Sequence, residues 1–419
     1  MKSKKSGTHL LIVLEIVALI AVLVFGVVQK GRINIQFGKK PNTEQTANHS
    51  TVTEGTEDTE VETIAVEQTE TEEDATIVFS KAVKEKLASM TLEEKVAQMF
   101  LITPEALTHA DKVTVAGNAT KEAISNCPVG GFVYSEQNFQ GKDQTKELLT
   151  KTQDYSKERM DLPMFLAIEE IGGEDYSPVA SANEYTIQKT PAEIAKEEDA
   201  AKAKTASAEI AEYLSEQGFV LNIAPIADLA GGVNKEYDKK TYGSNSAIAS
   251  MMVAESISGY HEKGIKTAVG AFPGESVGTV NKKSFEEWKA QDALVYQSAI
   301  NANCECMVLA NVIYEPLTES SNTICSISEN VVKYIREELN YTGLLMTDCL
   351  CEEVVTLNYS SKEVAVKAVK AGVNIIYCPE NFEEAYQGIM DAIDAGEIAV
   401  EVIDESVGRI LTQKMASNS

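Results

Sequence analysis

The chain is long enough to bury one large core and carries a strong negative charge. Its 419 residues are 44% hydrophobic and only 6% aromatic, with a formal net charge of −27 at pH 7. Nucleic-acid binding depends on Lys and Arg side chains that neutralise phosphates. This charge therefore excludes nucleic acid as an expected partner.

An apolar run at residues 10–28, interrupted only by Glu15, follows lysines near the start of the chain. The run is close to the length that a helix needs to cross a bilayer. No convincing small-residue cleavage site ends it, so we expect an uncleaved transmembrane anchor rather than a signal peptide. Basic residues flank both ends, and we predict residues 1–9 to be a short cytoplasmic tail. The body of the protein is then expected outside the cell, held at the cell membrane by a single-pass anchor.

Residues 29–77 have the composition of an acidic, Thr/Glu-rich linker. Between Pro41 and Thr76 the chain carries eleven acidic residues and no Lys or Arg. Such a segment cannot bury enough apolar surface to fold, and its charges repel one another. We predict a disordered linker that holds residues 78–419 away from the membrane.

The cysteines do not form a dense disulfide framework. There are seven, and an odd number cannot pair completely within one chain. Two Cys-x-Cys pairs, 304/306 and 349/351, could suggest a soft metal. Each lies at or near a predicted strand, where alternate residues share a face, so we expect core packing instead. No metal or organic cofactor is indicated.

Residues 78–419 alternate short apolar runs with amphipathic helical stretches. The predicted strands are Ala97–Ile102, Gly131–Tyr134, Met164–Ile168, Val220–Pro225, Thr267–Phe272, Cys306–Val312, Gly343–Thr347 and Val373–Tyr377. Helices are predicted between them, for example at 144–158, 192–216, 247–262, 284–302, 329–339 and 362–371. Eight such units favour an α/β fold of the TIM (β/α)8 barrel type, with a doubly wound sheet as the alternative.

Catalytic groups in such barrels project from the C-terminal ends of the strands. Carboxylates follow several of the predicted strands. They are Glu105, Glu136, Glu169, Glu170, Asp228, Glu275, Glu315, Asp348 and Glu380. The sequence therefore predicts an acidic barrel mouth.

Three segments of the body have distinctive sequences: residues 90–100 (MTLEEKVAQMF), residues 218–228 (GFVLNIAPIAD) and residues 335–348, which contain IREEL and MTD. They resemble, in that order, the opening stretch, the fourth strand, and the helix and following nucleophile strand of family 3 glycoside hydrolases of the bacterial β-N-acetylhexosaminidase type. The resemblance covers nearly all of the body and implies retaining hydrolysis of amino-sugar glycosides of cell-wall metabolism.

The resemblance implies that Asp348 is the nucleophile. Retaining glycosidases also need an acid/base group, which in this subfamily is a histidine in an Asp-Ser-His sequence after the fifth strand. The matching positions here are Asn281, Lys282 and Lys283. Lysine, with an ordinary pKa of about 10.4, is a poor proton shuttle at neutral pH. Glu275 is the candidate replacement, with Glu169 or Glu170 as further candidates.

The family's sugar contacts are also altered. Its Asp-x-Glu-Gly-Gly-Arg line becomes residues 169–174 (EEIGGE), and its Lys-His pair before Phe-Pro-Gly becomes Gly270 and Ala271. We retain Glu169, Asp228 and Lys240 as candidate substrate-binding residues. Absent hydrogen bonds cost about 1–3 kcal/mol each, so ordinary hexosaminidase activity is not expected.

Three functions remain compatible with these residues. The first is a family 3-like surface protein that binds glycan or protein with weak or no hydrolysis. The second is an active retaining hydrolase that uses Asp348 and a non-standard carboxylate acid/base. The third is a non-catalytic structural surface protein.

Overall fold

Eight short parallel strands form the centre of the body. The computed structural model describes residues 78–231, 234–274 and 281–416. The strands are β1 Phe100–Ile102, β2 Gly131–Val133, β3 Phe165–Ile168, β4 Leu221–Asn222, β5 Lys266–Phe272, β6 Cys306–Leu309, β7 Leu344–Thr347 and β8 Ile376–Tyr377. All eight predicted strands are present, although most are shorter than the apolar runs that predicted them.

The strand order brings the sheet round on itself. Neighbours follow the order β7-β6-β5-β4-β3-β2-β1-β8, and every pairing is parallel. A parallel bridge between Met346 and Ile375 then joins β7 to the segment before β8. Thr347 N also donates to Ile375 O at 3.0 Å. The result is a TIM-like near-barrel rather than the open doubly wound alternative.

Helices surround the strands because a parallel sheet must be covered on its outer face. Those of the first half are Lys81–Ser89, Leu92–Gln98, Pro104–Thr108, Asn118–Asn126, Lys142–Met160, Pro178–Asn183, Pro191–Ala195 and Ala200–Gln217. Those of the second half are Ser246–His261, Phe285–Ala290, Asp292–Asn301, Glu315–Thr318, Glu329–Lys333, Glu353–Thr356, Ser361–Ala371, Phe382–Asp394 and Val400–Met415.

Three predicted helices are interrupted. The 192–216 helix is two helices, and Asp199 starts the second by accepting a hydrogen bond from Ala201 N at 3.1 Å. The 284–302 helix breaks at Gln291, whose φ of −126° and ψ of −71° are not helical. The 329–339 helix continues from residue 334 as a π-helix. Apolar periodicity is nearly unchanged by breaks this short, so it predicts the segments but not the interruptions.

The predictions for residues 1–77 lie outside the described residues. These are the cytoplasmic tail at 1–9, the anchor at 10–28 and the linker at 29–77. Among the residues that the structure describes, none of the helices combines the length and the apolar character that a membrane span requires.

Candidate functional site

Two adjoining cavities open at the C-terminal ends of the strands. The larger has a volume of about 750 Å³, and the smaller has about 260 Å³. Glu169, Tyr176, Lys240 and Tyr377 line both, so the cavities share a wall. Asp348 and Glu352 line the smaller cavity, whereas Cys349 and Cys351 line the larger one. The sequence-predicted mouth is therefore a real depression of a size that accepts small molecules.

Asp348 lies where the sequence predicts it, directly after β7. It is half-buried, and its Oδ1 accepts a hydrogen bond from Cys349 N at 2.8 Å. Burial first, and then the neighbouring carboxylate of Glu352, raise the pKa of Asp348 well above its ordinary value. More distant carboxylates at Glu169 and Asp228 act in the same direction. These surroundings favour the protonated acid, and the nucleophile role of Asp348 stays a prediction.

Glu352 is a site residue that the sequence reasoning missed. Its Oε2 accepts a hydrogen bond from Asn311 Nδ2 at 2.9 Å, and the same nitrogen donates to Cys349 O at 2.8 Å. Burial raises the pKa of Glu352. Its position four residues after Asp348 was the available signal. That signal was weak because only the turn after β7 brings the two carboxyl groups together.

Glu169 and Lys240 are brought together at the barrel mouth, and their role in substrate binding stays a prediction. Lys240 Nζ lies 2.6 Å from Glu169 Oε1 and 5.0 Å from the centre of the Tyr176 ring. The ion pair therefore crosses from the end of β3 to the loop after β4 and forms the shared wall. The two charged groups and the face of the Tyr176 ring suit the mixed polar and apolar surface of a sugar.

Unlike Glu169 and Lys240, Asp228 does not line the cavities, and its carboxylate oxygens accept hydrogen bonds from the protein itself. Its Oδ1 accepts hydrogen bonds from Ala271 N at 2.7 Å and Tyr296 OH at 2.8 Å. Its Oδ2 accepts from Tyr237 OH at 2.9 Å. The side chain is buried and lines neither cavity. This arrangement orients the backbone at the end of β5, and direct substrate binding by Asp228 stays a prediction.

Glu170, one of the alternative acids, is enclosed by protein. Its carboxylate accepts from Val179 N at 2.7 Å, Ala180 N at 3.1 Å and Tyr213 OH at 2.8 Å. Burial raises the pKa of Glu170 to about 7. Although that value would suit an acid catalyst, the group lines neither cavity and holds the start of the Pro178–Asn183 helix.

Lys283, which the sequence resemblance matches to a histidine, is held in an ion pair. Its Nζ lies 2.7 Å from both carboxylate oxygens of the buried Asp292. Asn281 Oδ1 accepts from Lys283 N at 3.1 Å, which fixes the backbone beside it. Glu275, the candidate acid/base, lies outside the described residues.

The expected core packing of the cysteine pairs is right for one pair and wrong for the other. Cys304 and Cys306 are buried at β6. Cys349 is half-buried and Cys351 is exposed, because β7 ends at Thr347 and both cysteines lie in the following turn. Across residues 78–231, 234–274 and 281–416, no group of His, Cys, Asp and Glu side chains has an arrangement suited to a metal ion.

Comparison with known proteins extends this picture. The chain is 22% identical over 329 residues to β-hexosaminidase A of Pseudoalteromonas piscicida, covering 70% of this chain and 54% of that protein. It is 25% identical over 317 residues to a β-hexosaminidase of Idiomarina loihiensis, covering 71% and 89%. The match thus spans about half the length of the first relative and most of the second.

Solved structures with the same fold include two bacterial enzymes. A family 3 β-N-acetylglucosaminidase from Paenibacillus superposes with a TM-score of 0.72 at 25% identity, covering 78% of this chain and 62% of that one. A β-N-acetylhexosaminidase from Beutenbergia cavernae gives 0.68 at 18% identity, covering 78% and 100%, which supports the fold alone. The model of the glycosyl hydrolase family 3 N-terminal domain matches residues 91–413. This chain therefore belongs to glycosyl hydrolase family 3.

Proposed function

We propose that this protein binds β-linked amino-sugar glycans at the barrel mouth and hydrolyses them slowly or not at all. The observation that carries the proposal is the ion pair between Lys283 and Asp292, with both Nζ–O distances at 2.7 Å. Lys283 is the residue that the sequence resemblance matches to the acid/base histidine. This contact directs the Lys283 side chain to Asp292, and Lys283 lines neither cavity. The β-hexosaminidase relatives support the choice of an amino-sugar ligand.

The raised pKa of Asp348 also supports slow hydrolysis. A retaining glycosidase needs an ionised nucleophile, with the second carboxyl group about 5–5.5 Å away in the usual two-carboxylate form. Burial and Glu352 raise the pKa of Asp348, so a smaller fraction of the protein carries the reactive carboxylate at neutral pH. Binding does not require that ion, because Glu169, Lys240, Tyr176 and Tyr377 line both cavities.

The test uses the full-length chain and aryl β-N-acetylglucosaminides whose leaving groups differ in acidity. We expect turnover only with strongly acidic leaving groups, which need no protonation, and loss of that turnover in Asp348→Asn. A triple variant, Asn281→Asp, Lys282→Ser and Lys283→His, restores the family sequence and should extend turnover to poorer leaving groups. Binding of amino-sugar oligosaccharides is measured in parallel by calorimetry.

The competing proposal is an active retaining hydrolase with a non-standard carboxylate acid/base. The raised pKa of Glu352 favours it, because a catalytic acid must be protonated at working pH. Efficient wild-type turnover of an alkyl glycoside, lost in Glu352→Gln, would establish this alternative and reject slow hydrolysis. Absence of both binding and turnover would reject the amino-sugar ligand.

The location of the protein is a separate proposal that rests on the sequence. The apolar run at residues 10–28 supports a single-pass anchor. Basic residues flank both ends of the run, so the charge rule is nearly balanced, and the body outside the cell is the orientation that we propose. Extraction of membranes with alkaline carbonate tests the anchor. Release of the full-length protein into the soluble fraction would contradict it.

A further inference from the structure

Two thiols lie in contact at the barrel mouth, directly after the candidate nucleophile. Cys349 Sγ and Cys351 Sγ are 2.7 Å apart, which is closer than the about 3.5–4.0 Å at which non-bonded heavy atoms ordinarily pack. Both side chains line the larger cavity. Cys351 is exposed, so a small reagent in solution can reach this pair.

We propose that Cys349 and Cys351 are a reversible dithiol/disulfide pair, which makes the turn after β7 a site of oxidative modification. The turn supports this because it places two side chains of alternate residues side by side, whereas in a strand they would only share a face. The Cys304/Cys306 pair has the same spacing but is buried at β6.

The oxidation is a thiol–disulfide exchange with a low-molecular-weight disulfide. The Cys351 thiolate attacks one sulfur of the reagent, forms a mixed disulfide and releases the first small thiol. The Cys349 thiolate then attacks Cys351 Sγ, forms the internal bond and releases the second small thiol. Two electrons pass from the cysteine pair to the reagent, and the two protons lost by the cysteines go to the released thiolates.

The local hydrogen bonds connect this pair to the carboxyl groups of the smaller cavity. Cys349 N donates to Asp348 Oδ1 at 2.8 Å. Cys349 O accepts from Asn311 Nδ2 at 2.8 Å, and that nitrogen also donates to Glu352 at 2.9 Å. A disulfide would therefore constrain the backbone that holds Asp348 and Glu352.

The pH dependence follows from the thiol that reacts first. The hydrogen bond with Cys349, and then burial, raise the pKa of the Cys351 thiol. Since the thiolate is the attacking species, oxidation becomes faster as the pH rises through the alkaline range.

The experiment treats the reduced full-length chain with oxidised glutathione at alkaline pH, then alkylates remaining thiols in denaturant. Trypsin releases residues 337–362 as one peptide that contains Cys349 and Cys351 and no other cysteine. We expect this peptide to carry no alkyl group and to be two hydrogens lighter than the same peptide with two free thiols. Treatment with dithiothreitol before alkylation should give the doubly alkylated peptide instead.

There are two controls, a second peptide from the same chain and one variant. The peptide with Cys304, Cys306 and Cys325 should stay fully alkylated, because all three thiols are buried. In Cys351→Ser the internal bond cannot form, so Cys349 should be found alkylated or joined to glutathione. Full alkylation of peptide 337–362 in the wild type, or two separate glutathione adducts on it, would overturn the proposal. The readout needs no glycan, so it is independent of the proposed function.

Discussion

The carboxyl group of Asp348 shares the smaller cavity with other carboxyl groups. Among the described residues that line it, Glu169, Glu236 and Glu352 are acidic, and Lys240 carries the compensating charge. Lys240 lies 2.6 Å from Glu169, so its charge acts mainly there. The protonation of Asp348 is consequently controlled by burial and by Glu352, in that order.

Glu352→Gln should lower the pKa of Asp348 towards its ordinary range. The substitution keeps the size of the side chain but removes the negative charge that opposes ionisation of Asp348. The measurement is a carbon-13 NMR titration of protein labelled at the Asp carboxyl carbon, with the resonance assigned through Asp348→Asn. Exposed Glu353→Gln is the matched control. An unchanged titration of Asp348 in Glu352→Gln would show that burial alone raises its pKa.

At the scale of single elements, buried ionisable groups join helices to the barrel. Glu170 holds the start of the Pro178–Asn183 helix through Val179 N and Ala180 N. Lys414, near the end of the last helix, donates to Gln98 Oε1 at 2.7 Å and Gly130 O at 2.6 Å. The pKa of Glu170 is raised to about 7 and that of Lys414 is lowered to about 7. The stability that these contacts provide should therefore depend on pH.

Glu170 should make the fold less stable as the pH rises from about 4.5 to about 7. Burial raises its folded pKa to about 7, so within this window the folded state binds more protons than the unfolded state. The full effect is at most about 3.5 kcal/mol, since the pKa rises from 4.5 to about 7 and one pKa unit corresponds to about 1.4 kcal/mol. Urea unfolding of Glu170→Gln across this range should show a stability difference from wild type that shrinks as pH rises. Exposed Glu122→Gln is the control, and a constant difference would contradict the assignment.

Lys414 should act in the opposite direction at higher pH. Burial lowers its pKa to about 7, so between about 7 and 10.5 the unfolded state binds more protons and stability rises with pH. Lys414→Met removes this rise, whereas Met in place of exposed Lys146 should not. Urea unfolding between pH 6.5 and 9.5 measures both variants. Parallel stability curves for wild type and Lys414→Met would show that the ammonium stays charged throughout.

At the scale of the whole molecule, the sequence predicts what depends on local pattern. The strand at residues 344–347 and the carboxylate after it were predicted because apolar runs and strand ends are visible in one dimension. The contact of Cys349 with Cys351 was not, because it depends on the turn beyond β7 and not on spacing. Glu352 was missed for the same reason, and the burial of Glu170 depends on a helix that begins eight residues later.

The net charge of the whole chain leads to a last prediction, that salt stabilises the fold. The 64 acidic residues outnumber the 37 Lys and Arg, so repulsion among carboxylates opposes the compact state. Salt also weakens attractive pairs, but exposed pairs such as Lys121–Glu158 contribute only about 0–1 kcal/mol each. Repulsion should therefore dominate. The urea midpoint should rise when sodium chloride increases from about 0.01 to about 0.15 M, as the screening length falls from about 30 to about 8 Å. Sucrose of equal osmolality is the control, and a midpoint that falls with salt would mean that the attractive pairs prevail.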